Sequence, residues 1–213
     1  MTPNEITTVL SQKAGKAFDL PFKLILMEKV KALRSLLLKQ TLEKTPADRK
    51  FFKSTIYLKL TEANSVPCSV PINCKVYVSD KLPTPLRANS ILFDYVGAVD
   101  AHNPFKETHP GMVQFVNSGK YSKSSVPFMY SDNRLFVLQS VPMIRVDFIA
   151  DDPMELVSFQ CTTDEDTCDV WNTEYPLSKE ILALILQMIT EELKILDSQE
   201  DTIPVNPVND VQL

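Results

Sequence analysis

The spacing of apolar residues changes twice along this chain of 213 residues. Near the start they recur at intervals of four, three and four, which places them on one face of a helix and makes them interface candidates: Leu26, Val30, Leu33 and Leu37. From about residue 51 to 150, apolar and polar residues alternate instead, as expected for strands with one buried face. Helical spacing returns after Pro176. The pattern predicts an α+β protein with a central β segment between two helical ones.

The first segment, residues 1–50, is predicted to be helical. Thr2-Pro3-Asn4-Glu5 has the pattern of a capping box with proline at the first helical position. A short helix is expected to continue to about Ala17, where Asp19-Leu20-Pro21 interrupts it. A longer helix should then run from about Phe22 to Glu43.

The second segment, residues 51–150, is predicted to form an antiparallel β sandwich or barrel, because short strands follow one another with proline-rich connections. Ser131-Asp132-Asn133 is a hairpin-turn signal. The predicted strands lie around Ile56–Leu60, Val76–Val78, Ile91–Val96, Met112–Val116, Phe128–Tyr130, Arg134–Leu138 and Ile144–Phe148. Two stretches, Pro83–Ser90 and Asp100–Gly111, are expected to be long loops that a partner orders.

The third segment, residues 151–196, is predicted to be an acidic loop followed by an amphipathic helix from Pro176 to about Leu196 that packs on the β domain. The apolar residues of this helix cover about half of its circumference, wider than the stripe of a simple surface helix. The helix is therefore either buried between two layers or packed against a neighbouring subunit, with Ile185 and Met188 as interface candidates. Residues 197–213 are expected to be an extended tail that a partner holds; its anchor candidates are Ile203, Val205 and Val208.

The composition argues against most common enzymes. There are 4 glycines, none within two residues of another, which excludes a P-loop, a Rossmann fingerprint and a nucleophile elbow. The four cysteines lie in two groups along the sequence, Cys68 with Cys74 and Cys161 with Cys168. Within each group the two cysteines are too far apart in sequence for a typical zinc knuckle. We therefore expect free thiols, no metal, no cofactor and no catalytic residue. No signal peptide or membrane contact is expected, because the start of the chain lacks a basic segment and no apolar run is long enough to span a bilayer.

Charge is distributed unevenly along the chain. Residues 1–60 carry 12 Lys and Arg against 5 Asp and Glu, whereas residues 147–213 carry 2 against 16. Such an asymmetry can steer head-to-tail association between copies, although a solvated surface with an acidic tail has the same composition. Lys29, Lys31 and Arg34 are candidates for contact with phosphates. The net charge of −5 argues against binding to free nucleic acid.

Two stretches resemble virion proteins of crAss-like bacteriophages, in particular the ring proteins stacked between portal and tail. They are Glu174-Tyr175-Pro176-Leu177-Ser178-Lys179-Glu180-Ile181 and the segment Tyr130–Ile149, which ends in Ile144-Arg145-Val146-Asp147-Phe148. The resemblance covers roughly residues 85–196.

The resemblance implies a non-enzymatic structural protein of the virion, located at the head–tail junction. It implies a homo-oligomeric ring of about twelve copies around the DNA channel. The partners would be the portal or other tail and ring proteins, with genomic DNA passing non-specifically. The alternative is a tail-fibre adaptor or a capsid-decorating binding module.

Overall fold

The computed structural model describes residues 1–63, 75–109, 125–161 and 169–200, without the side chains of residue 161 and residues 196–200. The chain divides into two compact units, one made of Met1–Leu36 with the chain from Trp171 onward, and one made of Leu37–Val170. The first unit is helical, and the second contains the β structure.

The first helix, α1, spans Pro3–Lys13, and its predicted capping box is confirmed. The Thr2 hydroxyl accepts a hydrogen bond from the amide of Glu5 at 3.2 Å, and the Glu5 carboxylate accepts one from the amide of Thr2 at 2.9 Å. The prediction that α1 continues to Ala17 was wrong. Gly15 adopts a φ of 67°, and the amides of Gly15 and Lys16 return to the carbonyls of Gln12 and Ser11. This Schellman arrangement ends the helix.

The second helix, α2, spans Leu20–Lys44. It begins at Leu20 because the Asp19 carboxylate accepts a hydrogen bond from the amide of Phe22 at 3.0 Å. Pro21 therefore lies in the first turn, where no backbone donor is needed. A 3₁₀ turn at Pro46–Asp48 and the short helix α3 (Arg49–Phe52) follow.

The β unit contains seven strands in the part of the chain that the structure describes. They are β1 (Ser54–Glu62), β2 (Tyr77–Ser79), β3 (Phe93–Gly97), β4 (Lys106–Glu107), β5 (Pro127–Ser131), β6 (Arg134–Val137) and β7 (Met143–Phe148). They form one sheet in the order β3-β7-β1-β2-β6-β5-β4. The α+β fold is confirmed, but the sheet is mixed rather than antiparallel, because β4 runs parallel to β5. The predicted strand Met112–Val116 lies outside the described residues.

The two edges of this sheet meet, which makes it a nearly closed barrel. Gly97 on β3 bridges Pro104, and the amide of Phe105 donates to the carbonyl of Val96 at 2.7 Å. Pro104 and Phe105 lead directly into β4, the opposite edge strand. Inside, the ring of Phe93 makes edge-to-face contacts with three other rings at 5.1–6.3 Å; its partners are Phe128, Tyr130 and Phe148.

The predicted hairpin turn between β5 and β6 is confirmed, with Asp132 and Asn133 at φ values of 52° and 57°. The stretch Pro83–Ser90 was predicted as a long loop. It contains no strand, and hydrogen bonds attach it to residues 149–151, which follow β7. The amide of Leu86 donates to the carbonyl of Ile149 at 2.7 Å, and Pro85 bridges Ala150. The other predicted loop, Asp100–Gly111, contains β4 and is described only up to residue 109.

After the barrel, helix α4 spans Pro153–Cys161, and the Asp152 carboxylate accepts a hydrogen bond from the amide of Met154 at 2.8 Å. The last helix, α5, spans Lys179–Glu200 rather than Pro176–Leu196. It begins later because the Ser178 hydroxyl accepts a hydrogen bond from the amide of Ile181 at 3.3 Å and so caps the first turn. It extends beyond Leu196 because no glycine or proline interrupts residues 197–200.

We expect Gly97→Ala to destabilise the barrel by about 3 kcal/mol. A methyl group on Gly97 would lie 2.4 Å from the carbonyl oxygen of Asn103 and 2.5 Å from the hydroxyl of Tyr95, so the closing contact would have to move. Urea unfolding of both proteins measures the loss. Gly15→Ala is the control: it meets no atom within 4 Å and adds only the strain of a positive φ, about 1 kcal/mol. Equal losses in the two variants would contradict the steric explanation.

Candidate assembly surface

Helix α5 has two apolar stripes, and only one of them is covered. Its buried stripe repeats every four residues and consists of Ile181, Ile185 and Ile189, exposed by 5%, 0% and 1%. The second stripe remains exposed and consists of Leu184, Met188 and Ile195, at 48%, 41% and 58%. Of the two interface candidates on this helix, Ile185 is therefore buried within the chain, and Met188 is on its surface.

Helix α2 also has two apolar stripes. The predicted stripe faces inward, with Leu26 and Val30 fully buried and Leu33 and Leu37 half-buried. A second stripe is exposed and consists of Ile25, Ala32 and Leu36. Its residues are spaced by seven and four, which is also a helical repeat. The sequence therefore held a signal for this stripe, which the more regular Leu26–Leu37 pattern obscured.

The two exposed stripes flank one ion pair. Lys29 of α2 binds Glu192 of α5. On α2, Ile25 lies four residues before Lys29, and Ala32 and Leu36 lie three and seven residues after it. They therefore share the side of α2 that carries Lys29. On α5, Leu184 and Met188 lie eight and four residues before Glu192, and Ile195 lies three residues after it. They therefore share the side of α5 that carries Glu192. We call these six apolar residues the α2–α5 face.

A second contact shows the direction in which α2 runs. The Arg34 guanidinium lies over the ring of Tyr175, with its central carbon 5.8 Å from the ring centroid. From Lys29 to Arg34 the contact moves back from Glu192 to Tyr175, which precedes α5, so α2 runs opposite to the chain direction from Tyr175 into α5. The exposed stripes of α2 and α5 lie on either side of the Lys29–Glu192 ion pair.

A second exposed apolar group lies at the start of α2. Phe18 is fully exposed at 101%, and Leu20 and Leu24, one helical turn apart, are exposed by 65% and 48%. We call these three residues the Phe18 knob. Lysines surround it: Lys16 lies over the ring of Phe22 at 5.1 Å, and Lys23 donates to the Thr8 hydroxyl at 3.2 Å. The helical unit thus exposes two separate apolar groups, which is typical of interaction surfaces rather than of scattered surface residues.

A comparison with protein families decides what kind of molecule this is. The model of the family described as phage tail ring protein 2 matches residues 23–211, nearly the whole chain. The chain belongs to this family of crAss-like phage ring proteins. No curated protein shows significant similarity to it. The predicted resemblance is thereby confirmed, and the chain is a structural ring protein of the phage tail and a component of the virion.

The predicted phosphate-facing cations of this ring protein are all engaged within the chain. Lys29 is paired with Glu192, and Lys31 with Glu28 at 2.9 Å. Arg34 is exposed by only 1%. The Arg34 side chain does not reach the surface, so of the three candidates only the two lysines are accessible to a phosphate.

Other predicted sites of the ring protein lie beyond the described part of the chain. Cys68, Cys74 and Cys168 are among them, as are the three anchor candidates of the tail. Within the described residues, no group of three or more His, Cys, Asp and Glu side chains could hold a metal ion. No helix in that part of the chain combines the length and the apolar character needed to cross a membrane.

The barrel of the ring protein carries one polar cluster that sequence reasoning missed. Asp147 on β7 is 3% exposed and accepts hydrogen bonds at 2.8–3.0 Å from three neighbours: Lys53, Thr55 and Arg145. Burial alone would raise the pKa of Asp147, but these hydrogen bonds outweigh it and hold the pKa at about 2. The alternation in β1 and β7 placed Thr55, Arg145 and Asp147 on the outer side of the strands, and only the pairing of the strands shows that they meet.

Proposed function

We propose that this ring protein is one subunit of an oligomeric ring at the head–tail junction, where it connects the portal to other tail or ring proteins and surrounds the DNA channel. Membership of the ring family supports an oligomer. The observation that carries the proposal is the α2–α5 face, because six apolar residues on two adjacent helices need a covering partner.

The distribution of charge supports contact between unlike ends of neighbouring copies. The first 60 residues are strongly basic in balance and the last 67 strongly acidic. In a ring each copy presents one end to the preceding copy and the other to the next. Complementary charges then favour the correct orientation of neighbours.

Contact with DNA in this proposal is weak and non-specific. Lys31 is the candidate, since it lies away from the α2–α5 face, whereas Lys29 lies within it. The pairing of Lys31 with Glu28 reduces its attraction for a phosphate. A ring of about twelve copies repeats such a contact around the channel, and the repeats add through multivalency.

Cryo-EM of the assembled particle tests the proposal. We expect a closed ring of this chain between the portal and the tail, with α2 and α5 at the contacts between subunits. Density for this chain on the capsid surface or at the tail fibres, and none at the junction, would show that it is an adaptor or decorating module instead.

The tail beyond α5 provides a second test. We propose that Ile203, Val205 and Val208 anchor it on a neighbouring chain, because its alternating apolar residues and prolines suit an extended segment in a groove or at a sheet edge. Removing residues 201–213 should leave the thermal midpoint unchanged and lower incorporation into particles by about tenfold.

Two variants of the tail separate anchoring from mere length. Replacing the three anchors with serine should reduce incorporation as much as the deletion does. Replacing Asn206 and Asn209 with serine keeps the anchors and should have no effect. Normal incorporation of the truncated chain would show that the tail has no role in assembly.

A further inference from the structure

We propose that the Phe18 knob of one copy docks on the α2–α5 face of the next copy. This inference rests on the proposed ring and names the surfaces that join its subunits. Both surfaces are exposed in the chain itself, so neither is covered by the other within one copy. The occupant we assign to the face is therefore a second copy of this chain.

The knob has the properties of an interface anchor. Phe18 has no contact that shields it from water, since its exposure is 101%. It lies in the connection between α1 and α2, just before Asp19 caps α2, so the backbone that carries it is held at both ends. Phenylalanine is among the aromatic residues that are enriched at protein interfaces, where a few well-packed anchor residues supply most of the binding energy.

The face has the apolar chemistry to receive such a side chain. Two adjacent helices present Ile25, Ala32 and Leu36 on one side and Leu184, Met188 and Ile195 on the other. Ala32 is the small member of the α2 stripe, and Met188 is the most adaptable member of the α5 stripe.

The charges around the two surfaces are complementary. Residues 13–24, which surround the knob, contain three lysines against Asp19, a net charge of +2. The face is slightly acidic, because residues 25–36 of α2 have a net charge of +2 and helix α5, with five acidic residues against Lys179 and Lys194, has a net charge of −3. Two copies brought together knob to knob, or face to face, would place like charges opposite each other, which disfavours those arrangements.

The pairing of two unlike surfaces has a consequence for symmetry. A contact between identical patches ends at a dimer, whereas a contact between different patches leaves one knob and one face free on every pair. Association then continues from copy to copy until a ring closes. The two surfaces on the helical unit thus provide the unlike contact that a cyclic assembly requires.

Two charge substitutions test the contact by complementation. Phe18→Asp removes the knob and keeps the face, and Met188→Asp does the reverse. Each variant alone should associate at least about 30-fold more weakly than the wild type. A mixture of the two retains one intact contact per pair, so native mass spectrometry should show dimers that contain one copy of each and nothing larger.

Matched controls add the same charge outside the contact. Gln12→Glu lies on the exposed side of α1, and Gln187→Glu lies on the polar side of α5 next to Met188; both should assemble as the wild type does. Circular dichroism establishes that all variants are folded. If either variant is unfolded, Phe18→Ser and Met188→Ser replace it, with the same expected pattern.

The possible results separate this inference from the proposed function. Normal assembly of Phe18→Asp or Met188→Asp would overturn the assigned surfaces and leave the ring intact. Dimers formed by one variant alone would show a contact between identical patches and would also overturn them. A wild-type chain that stays monomeric in solution would overturn this contact, while the map of the particle still decides whether the chain forms a ring with the help of other proteins.

Discussion

Ile185→Asp is expected to unfold the helical unit. Ile185 is completely buried in the middle of the inner stripe of α5, between Ile181 and Ile189. A carboxylate at this position loses its hydration without gaining a partner, which costs several kcal/mol in addition to the lost apolar contact. We expect a loss of at least about 4 kcal/mol, comparable to the whole stability of a small domain. Urea unfolding followed by circular dichroism measures it.

Met188→Asp is the matched comparison, because it places the same charge three residues further along the same helix. Met188 is 41% exposed, so the carboxylate keeps much of its water, and the free energy of unfolding should change by less than about 1 kcal/mol. Folding should thus fail in the first variant, and assembly in the second. A soluble, cooperatively folded Ile185→Asp protein would contradict the assignment of the inner stripe.

Asp147→Asn is expected to destabilise the barrel by about 3 kcal/mol at neutral pH. The substitution leaves the cations of Lys53 and Arg145 without their shared carboxylate at a position that is largely shielded from water. The pKa of Asp147 is lowered from 3.8 to about 2 in the folded protein. This lowering of the Asp147 pKa corresponds to about 2.5 kcal/mol of folding stability. The contribution is present above pH 4 and is lost as the pH falls through 2.

The pH dependence distinguishes this ion cluster from a simple packing effect. Unfolding free energies at several pH values between 7 and 2 should converge for the wild type and Asp147→Asn as the acid limit is approached. Asp80→Asn, which removes an exposed carboxylate beside β2, should track the wild type throughout. A constant difference between wild type and Asp147→Asn down to pH 2 would show that Asp147 contributes through packing alone.

The sequence by itself determined the features that depend on neighbours along the chain. Thr2 and Glu5 predicted the start of α1, because a capping box involves only four residues. The alternation at Ile144–Phe148 predicted β7 and its inner side, since the period of a strand is two. Asp132 and Asn133 predicted a tight turn, because few other residues adopt the left-handed backbone it needs. The two stretches that resemble crAss-like ring proteins led to the correct family.

Errors occurred where a local signal competed with another. Pro176 was predicted to begin α5, but the hydroxyl of Ser178 caps the helix instead. Ala17 was predicted to end α1, but the left-handed conformation of Gly15 ends it sooner. In both cases the sequence contained two acceptable boundary signals, and the hydrogen bonds of the folded chain selected one of them.

Only the tertiary structure decided which apolar surfaces are covered. Helices α2 and α5 each carry two apolar stripes, and periodicity alone does not say which one faces inward, because the covering residues come from distant parts of the chain. The same holds for Arg34. A cationic residue of a helix is expected at the surface, but the side chain of Arg34 is buried over the ring of Tyr175. The barrel closes through Gly97 and Pro104, and this contact depends on the close approach of two backbones. Contacts between residues that are far apart in the sequence depend on the packing of the whole chain. The α2–α5 face could therefore be identified only in the folded structure.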